Sequence, residues 1–240
     1  MSYKRVEGFM SGAAQTTAQP SRPTGFRVIP GGKAADPLGL LAGYGMTITL
    51  PRDRELHAQG DRANFCYRIV VGCVRTIKLM EDGRRQIGGF LLAGDCLGFD
   101  ALDTHDFAAQ AVTDVVLRRY RRRETEALME RHASLARVLR EMAARELRAA
   151  YDRILLLGRK TASERIATFL LEMAARQGGV GKAALPMSRT DIADHLGLTV
   201  ETVCRMMTHL RRDGTIVIEP GQVELLCPAA LHQMAADPRH

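Results

Sequence analysis

The chain has 240 residues, 46% of them apolar, which suffices for two modest cores or one large one and argues against disorder throughout. No run approaches the roughly 18 uncharged apolar residues of a membrane span, and the opening "MSYKRVEGFMSGAAQTTAQPSRPTG" lacks a signal-peptide core, so a cytoplasmic protein with no membrane partner is expected. A formal net charge of +7 and a pI near 9.5 bias it toward anionic partners without selecting one.

Residues 1–37 are rich in Gly, Pro, Ser, Gln and Thr and carry no sustained apolar period, so they read as a flexible N-terminal arm. From Met46 to Tyr120 the pattern turns to short runs with turn punctuation: "MTITL", "ANFCYRIVVGCVRTIKLM", "RQIGGFLLAGDCLGF" and "FAAQAVTDVVLRRY". They suit a small antiparallel barrel or sandwich, with "EDG" at Glu81 to Gly83 as a hairpin turn. Five cysteines, Cys66, Cys73, Cys96, Cys204 and Cys227, are odd in number and match no zinc spacing, so free thiols and no metal site are expected. His57 and His105 read as solvated loop histidines rather than haem ligands.

"RRYRRR", Arg118 to Arg123, supplies five positive charges at the exit of this segment. Pairing with Glu124 and Glu126, or contact with DNA flanking a bent site, would each account for it. After Arg123 a stretch without proline, and with glycine only at Gly158, predicts a long helix over 124–158. Ala136, Leu139, Ala143, Leu147, Ala150, Ile154 and Leu157 recur on it at spacings of three and four. That stripe fits a coiled-coil seam between two subunits or burial against the chain's own domain.

"TASERIATFLLEMAARQG" reads as a helix capped by Thr161 or Ser163 and stopped at Gly178. "LPMSRTDIADHLG", "LTVETVCRMMTHLRRDG" and "TIVIEPGQVELLC" read as helix, helix and a two-stranded hairpin. In the first two, Ile192, Ala193 and Leu196 form an apolar face, Gly197 permits a tight turn, Leu198 packs beneath it, and Val203 and Met206 continue the face. This is the pattern of a helix-turn-helix whose second helix is capped by Thr199. Val200, Glu201, Cys204, Arg205, His209 and Arg212 lie on the side away from the core. An arginine can bond both acceptors of a guanine and a carboxylate can accept from cytosine N4, so Glu201 with Arg205 suits base reading; the alternative is an exposed ion pair.

"LGLTVETVCRMMTHLRRDGTI", preceded by "RTDIADHLG" and by a barrel containing "GDCLGFDAL", resembles the Crp/Fnr family of bacterial transcription regulators, in its FNR and FixK branch. The resemblance spans residues 38 to 230. It implies an α+β chain: a cyclic-nucleotide-binding-like β-roll at 38–123, a dimerisation helix at 124–158 and a winged helix-turn-helix at 159–240. It also implies a homodimer on a palindromic operator in double-stranded DNA, and contact with RNA polymerase through roll loops, for which "MEDGRRQ", Met80 to Gln86, is the counterpart. The branch carries Glu-x-x-Ser-Arg against a TTGAT-like half-site; Glu201 and Arg205 match, and Cys204 stands in place of serine. Val200 replaces the arginine of the cAMP receptor branch. Thr199 and Arg189 suit phosphate contacts, and His209 lies on the same surface.

Phe99 and Asp100 occupy the place of the ribose-binding Gly-Glu-Leu motif, and "FAAQAV" puts alanines where the cyclic phosphate would find its arginine partner, so cyclic nucleotide is not expected. No cysteine precedes Cys66, which argues against an iron–sulfur cluster. The resulting expectation is a cofactor-free, FixK-like activator of low-oxygen genes, with a small-molecule-gated regulator as the competing reading. Cys204, near a helix start and beside Arg205, is a candidate redox switch or a simple substitute for serine. No nucleophile–base constellation suggests an enzyme.

Overall fold

The computed structural model describes residue 41 and residues 43–99, 103–179 and 181–236. The arm expected at 1–37 and Asp100 lie outside the described residues. Two four-stranded sheets build the N-terminal roll, in the orders β1-β8-β3-β6 and β2-β7-β4-β5. Their strands are β1 Met46–Leu50, β2 Glu55–His57, β3 Phe65–Val71, β4 Val74–Leu79, β5 Arg85–Leu91, β6 Cys96–Leu97, β7 Ala108–Ala111 and β8 Val115–Arg121. All pairs are antiparallel. Tyr67, Ile69, Val74, Leu97, Ala109, Ala111, Val115 and Leu117 fill the space between the sheets.

The expected "EDG" turn joins β4 to β5, closed by Met80 N–H donating to the Arg84 carbonyl at 2.9 Å, with Gly83 at φ +83°. The run read as "ANFCYRIVVGCVRTIKLM" folds back at Gly72, whose φ is +97° and where a Cβ would stand 2.5 Å from the Asp114 carbonyl oxygen. Only glycine fits that corner.

The single long helix expected over 124–158 is two helices, α1 Arg122–Arg131 and α2 Ala133–Arg159, separated by an extended His132 at φ −128°, ψ 92°. Propensity alone would continue the helix. The break instead allows Leu128, Leu135 and Leu139 to enter one cluster with Leu41 and Tyr120. Leu139 is thus buried within its own chain. Ala143, Leu147, Ala150 and Ile154 stay exposed in the single chain, with Tyr151 and Leu155 beside them.

The C-terminal unit comprises α3 Ala162–Arg176, β9 Lys182–Ala184, α4 Arg189–Leu196, α5 Val200–Arg212, β10 Ile216–Glu219, β11 Gln222–Leu225 and α6 Pro228–Ala235. Thr161 and Glu164 form a capping box at α3. The expected hairpin β10-β11 gains a third strand, β9, pairing Val223 with Ala183. Helix α6 closes the unit with Leu231 fully buried. The core of this unit is continuous with the roll: Cys73, Ile87, Phe90, Leu92 and Val112 share one cluster with Ile166, Leu170, Ile192, Leu196 and Val203.

Candidate nucleic-acid interface

Helix α4 begins at Ser188, whose hydroxyl accepts from Asp191 N–H at 3.0 Å while the Asp191 carboxylate accepts from Ser188 N–H at 3.1 Å. It ends at Gly197 in the left-handed conformation, φ 61°, ψ 44°. Leu198 then packs on the shared core, and Thr199 caps α5 by accepting from Thr202 N–H at 3.2 Å. The helix-turn-helix is therefore held by two caps and one glycine; Gly197 and the Thr199 cap match the sequence pattern, and the Ser188–Asp191 cap adds to it. Val203, Met207 and Leu210 are the buried face of α5. Met206, expected in the core, is only partly buried, because Met207 lies one turn from Val203 and takes the interior place.

Glu201, Cys204, Arg205 and His209 are exposed on the outer side of α5, as are Thr208, Arg211 and Arg212. Val200, assigned to that side, is half-buried and packs against the core cluster. The Glu201 carboxyl is held below its usual range, first by its own backbone N–H and then by the Thr199 hydroxyl, so it presents a charged acceptor. His209 Nδ1 lies 2.9 Å from the Asp213 carboxylate one turn on, which fixes the ring at the end of the reading surface. Cys204, Arg205, Met206, Thr208, His209 and Arg212 border one shallow concavity.

Arg189 stands on the first turn of α4 and is half-buried. Burial lowers its pKa, and the neighbouring Cys204 thiol opposes that shift. Cys204 thus interacts electrostatically with a guanidinium from α4 and has Arg205 beside it in sequence. Of the other thiols, Cys66 and Cys73 are buried, Cys96 is partly buried and Cys227 is exposed. Burial pushes the Cys73 thiol up to about 12, which makes it unreactive.

Two further groups orient this reading head, and no motif pointed to either. Arg165, on the first turn of α3, donates to the carbonyl oxygens of Lys160 and Leu157, each at 2.9 Å, and of Leu196 at 2.9 Å and Gly197 at 3.3 Å. One guanidinium therefore ties the end of α2 to the turn of the helix-turn-helix. Leu157, expected in the seam, is half-buried there, and a Cβ on Gly197 would meet its Cδ2 at 3.4 Å. Across the roll, Arg85 and Gln86 are bonded to α4: Arg85 Nε donates to Asp194 at 2.6 Å and Gln86 Nε2 to the Asp194 carbonyl at 2.5 Å. Within Met80 to Gln86, only Met80 to Arg84 is left exposed.

The arginine run at the roll exit is largely engaged within the chain. Arg121 lies 3.8 Å from Glu124, Arg122 lies 3.7 Å from Glu126, and Arg122 also donates to the Ala63 and Gly98 carbonyls. Arg118 donates to Thr47, and Arg119 stacks on the Phe65 ring with 4.5 Å to the centroid. His57 and His105, expected in solvent, are stacked on each other at 3.6 Å between ring centroids, and His105 is buried. No helix among the described residues is long and apolar enough to cross a membrane.

Residues 164–234 match the model of the Crp-like helix-turn-helix domain, and residues 47–132 match that of the cyclic nucleotide-binding domain. The nitrogen fixation regulation protein FixK of Rhizobium meliloti is 39% identical over 81% of this chain and 89% of its own length. The transcriptional activatory protein AadR of Rhodopseudomonas palustris is 40% identical over 75% of this chain and 77% of its own. The structure of FixK2 from Bradyrhizobium japonicum superposes with a TM-score of 0.77 at 43% identity, covering 80% of this chain and 98% of that one. With a roll, a capped helix-turn-helix and relatives that regulate transcription, the chain belongs to the Crp/Fnr family of DNA-binding transcription regulators, in its FixK-like branch.

Proposed function

We propose that the chain acts as a homodimer that reads a TTGAT-like palindrome with Glu201 and Arg205 and activates genes of low-oxygen life, such as respiration, denitrification or nitrogen fixation. The carrying observation is that both side chains are exposed one turn apart on the outer face of α5, with Glu201 held ionised. A carboxylate on a surface that approaches phosphate is otherwise unfavourable, so base reading, or orientation of Arg205, is the reason for its presence. Thr199 and Arg189 supply register through phosphate, with His209 flanking the surface. The exposed faces of Ala143, Leu147, Ala150 and Ile154 pair with those of a second copy across a seam that Leu139 and Leu157 bound at its ends. The exposed hairpin tip Met80 to Arg84 is the surface offered to RNA polymerase.

The binding proceeds without a cofactor. Ala109 and Ala111 are fully buried in the roll interior and Ala108 nearly so, and Gln110 of the same strand is engaged by Arg75, so these alanines give a cyclic phosphate no charged partner. Selection from random DNA by the purified protein tests the reading. A TTGAT-like palindrome recovered without added ligand is the expected result, and recovery only after adding a metabolite would establish gating by a small molecule instead.

A redox function of Cys204 rests on its exposure within the reading surface and its electrostatic influence on Arg189. Oxidation to a sulfinic or sulfonic acid would set negative charge against the DNA backbone and weaken binding. Wild type and Cys204→Ser are titrated with operator before and after peroxide; equal sensitivity of the two removes this function.

A further inference from the structure

Asp191 does two things at once. Its carboxylate completes the cap of α4 through Ser188 N–H, and it is almost wholly buried, with its side chain 3% exposed. The remaining acceptor capacity is taken by the roll: Arg75 Nη1 donates to Oδ2 at 2.8 Å and Arg85 Nη2 to Oδ1 at 3.0 Å. Arg85 Nε also donates to Asp194 Oδ2, and Gln86 reaches the Asp194 and His195 carbonyls. Arg75 is itself oriented by Gln110 Oε1, at 3.1 and 2.7 Å from two of its nitrogens. His195 Nδ1 lies 3.2 Å from the Ile87 carbonyl oxygen.

Two arginines of the roll therefore meet two aspartates of α4 across the boundary, with Asp53 of the roll 3.6 Å from Arg75, in a geometry that a solvated surface pair would not keep. The two arginines neutralise the buried carboxylate that caps α4, whose remaining cap bonds are to Ser188. What they add is a fixed placement of α4, and with it the reading helix α5, on the β4-β5 hairpin of the roll.

We propose that Arg75 and Arg85 are positioning residues for DNA reading, clamping α4 through Asp191 and Asp194 so that the two reading helices of a dimer keep one separation and accept one operator spacing. This rests on the homodimer-on-palindrome reading above. A head held on one side by Arg165 and on the other by this clamp, over the apolar core it shares with the roll, cannot swing. With the roll side released, it pivots about the end of α2 and reaches half-sites at other spacings. Each half-site contact is then kept while the joint advantage of binding two at once is reduced.

The test compares three duplexes: the palindrome, the same palindrome with one base pair inserted at its centre, and a duplex with a single half-site. Wild type must first prefer the palindrome to the widened site as a dimer; if it does not, the homodimer reading fails and the clamp is not at issue. Arg85→Ala is expected to leave single-half-site affinity within about twofold while palindrome affinity falls about tenfold and discrimination against the widened site collapses toward unity. Asp194→Asn, which spares the cap, is expected to do the same more weakly and to carry the test if Arg85→Ala does not fold. Arg85→Lys is expected to restore part of the spacing discrimination. Equal loss on all three duplexes would mean a merely structural role, and unchanged discrimination in a folded variant would overturn the clamp.

Discussion

Arg165 Nη1 donates to the Leu196 carbonyl oxygen at 2.9 Å, joining the first turn of α3 to the last turn of α4 across 31 residues of chain. The same guanidinium satisfies Leu157, Lys160 and Gly197. Helix ends leave carbonyl oxygens without intrahelical donors, and here a single side chain serves two of those ends. Charge-assisted bonds of this kind are worth more than neutral ones, and losing the donor strands every acceptor it served. Arg165→Ala is expected to lower unfolding free energy by about 2–4 kcal/mol in urea titrations, with Arg165→Lys recovering only part because an ammonium cannot span both ends.

His195 lies between Phe90 and Phe169, with ring centroids 5.2 and 5.7 Å away, and its pKa is pushed down to about 4 by burial first and then by Arg153. The ordinary value of 6.5 is higher, so the unfolded chain takes up the proton first. The contribution is complete above pH 6.5 and is lost progressively as the pH falls toward 4, about 3 kcal/mol in all. His195→Gln keeps a side-chain donor but removes this titration. Melting temperatures at pH 7 and pH 4.5 are expected to differ less in the variant than in wild type; carboxylates that titrate in that range are common to both proteins and cancel in the comparison.

The helix-turn-helix was legible because its determinants are local: Gly197 at a left-handed position, Thr199 as cap and apolar residues three and four apart. Its phase was not fully legible, since Met206 and Met207 are adjacent and equally apolar, and only the shared core decides between them. The break at His132 has no local signal either; it goes with the packing of Leu128, Leu135 and Leu139 around Tyr120 and Leu41, the last of them far away in sequence. Distance also hid the contacts that aim the reading head. Arg75 and Asp191 are 116 residues apart and Arg85 and Asp191 are 106 apart, so no local pattern joins them, and Arg85 read only as part of a loop facing RNA polymerase. His57 and His105 were missed for the same reason, because a loop position in sequence conceals a stacked partner from another strand.

The seam on α2 yields a separable prediction, because Leu147 and Ile154 are 55% and 65% exposed in the single chain. Leu147→Glu with Ile154→Glu should leave the fold of each chain intact by circular dichroism. In a pairing of two copies it buries four carboxylates, and sedimentation velocity is expected to report association weakened by at least about a hundredfold, roughly 2.7 kcal/mol. Affinity for a palindrome should fall while affinity for a single half-site persists. A dimer that survives both substitutions would place the subunit contact elsewhere.

Arg205 and Arg189 should fail in different ways, and the difference distinguishes reading from anchoring. Arg205 is exposed on the outer face of α5, so Arg205→Ala costs the fold little. As a base reader it is expected to lose about 1–3 kcal/mol on the cognate site and to relax preference at one base pair, with little loss on unrelated DNA. Glu201→Gln, which keeps an acceptor but adds a donor, should shift preference at a neighbouring pair rather than abolish binding. Arg189 is half-buried on the first turn of α4 and is proposed as a phosphate contact. Arg189→Ala is therefore expected to weaken specific and unrelated DNA alike and to reduce the slope of log affinity against log salt by about 1. Binding isotherms at several salt concentrations on cognate and scrambled duplexes measure both effects. A uniform loss from Arg205→Ala, with a shallower salt slope, would move that residue from the bases to the backbone.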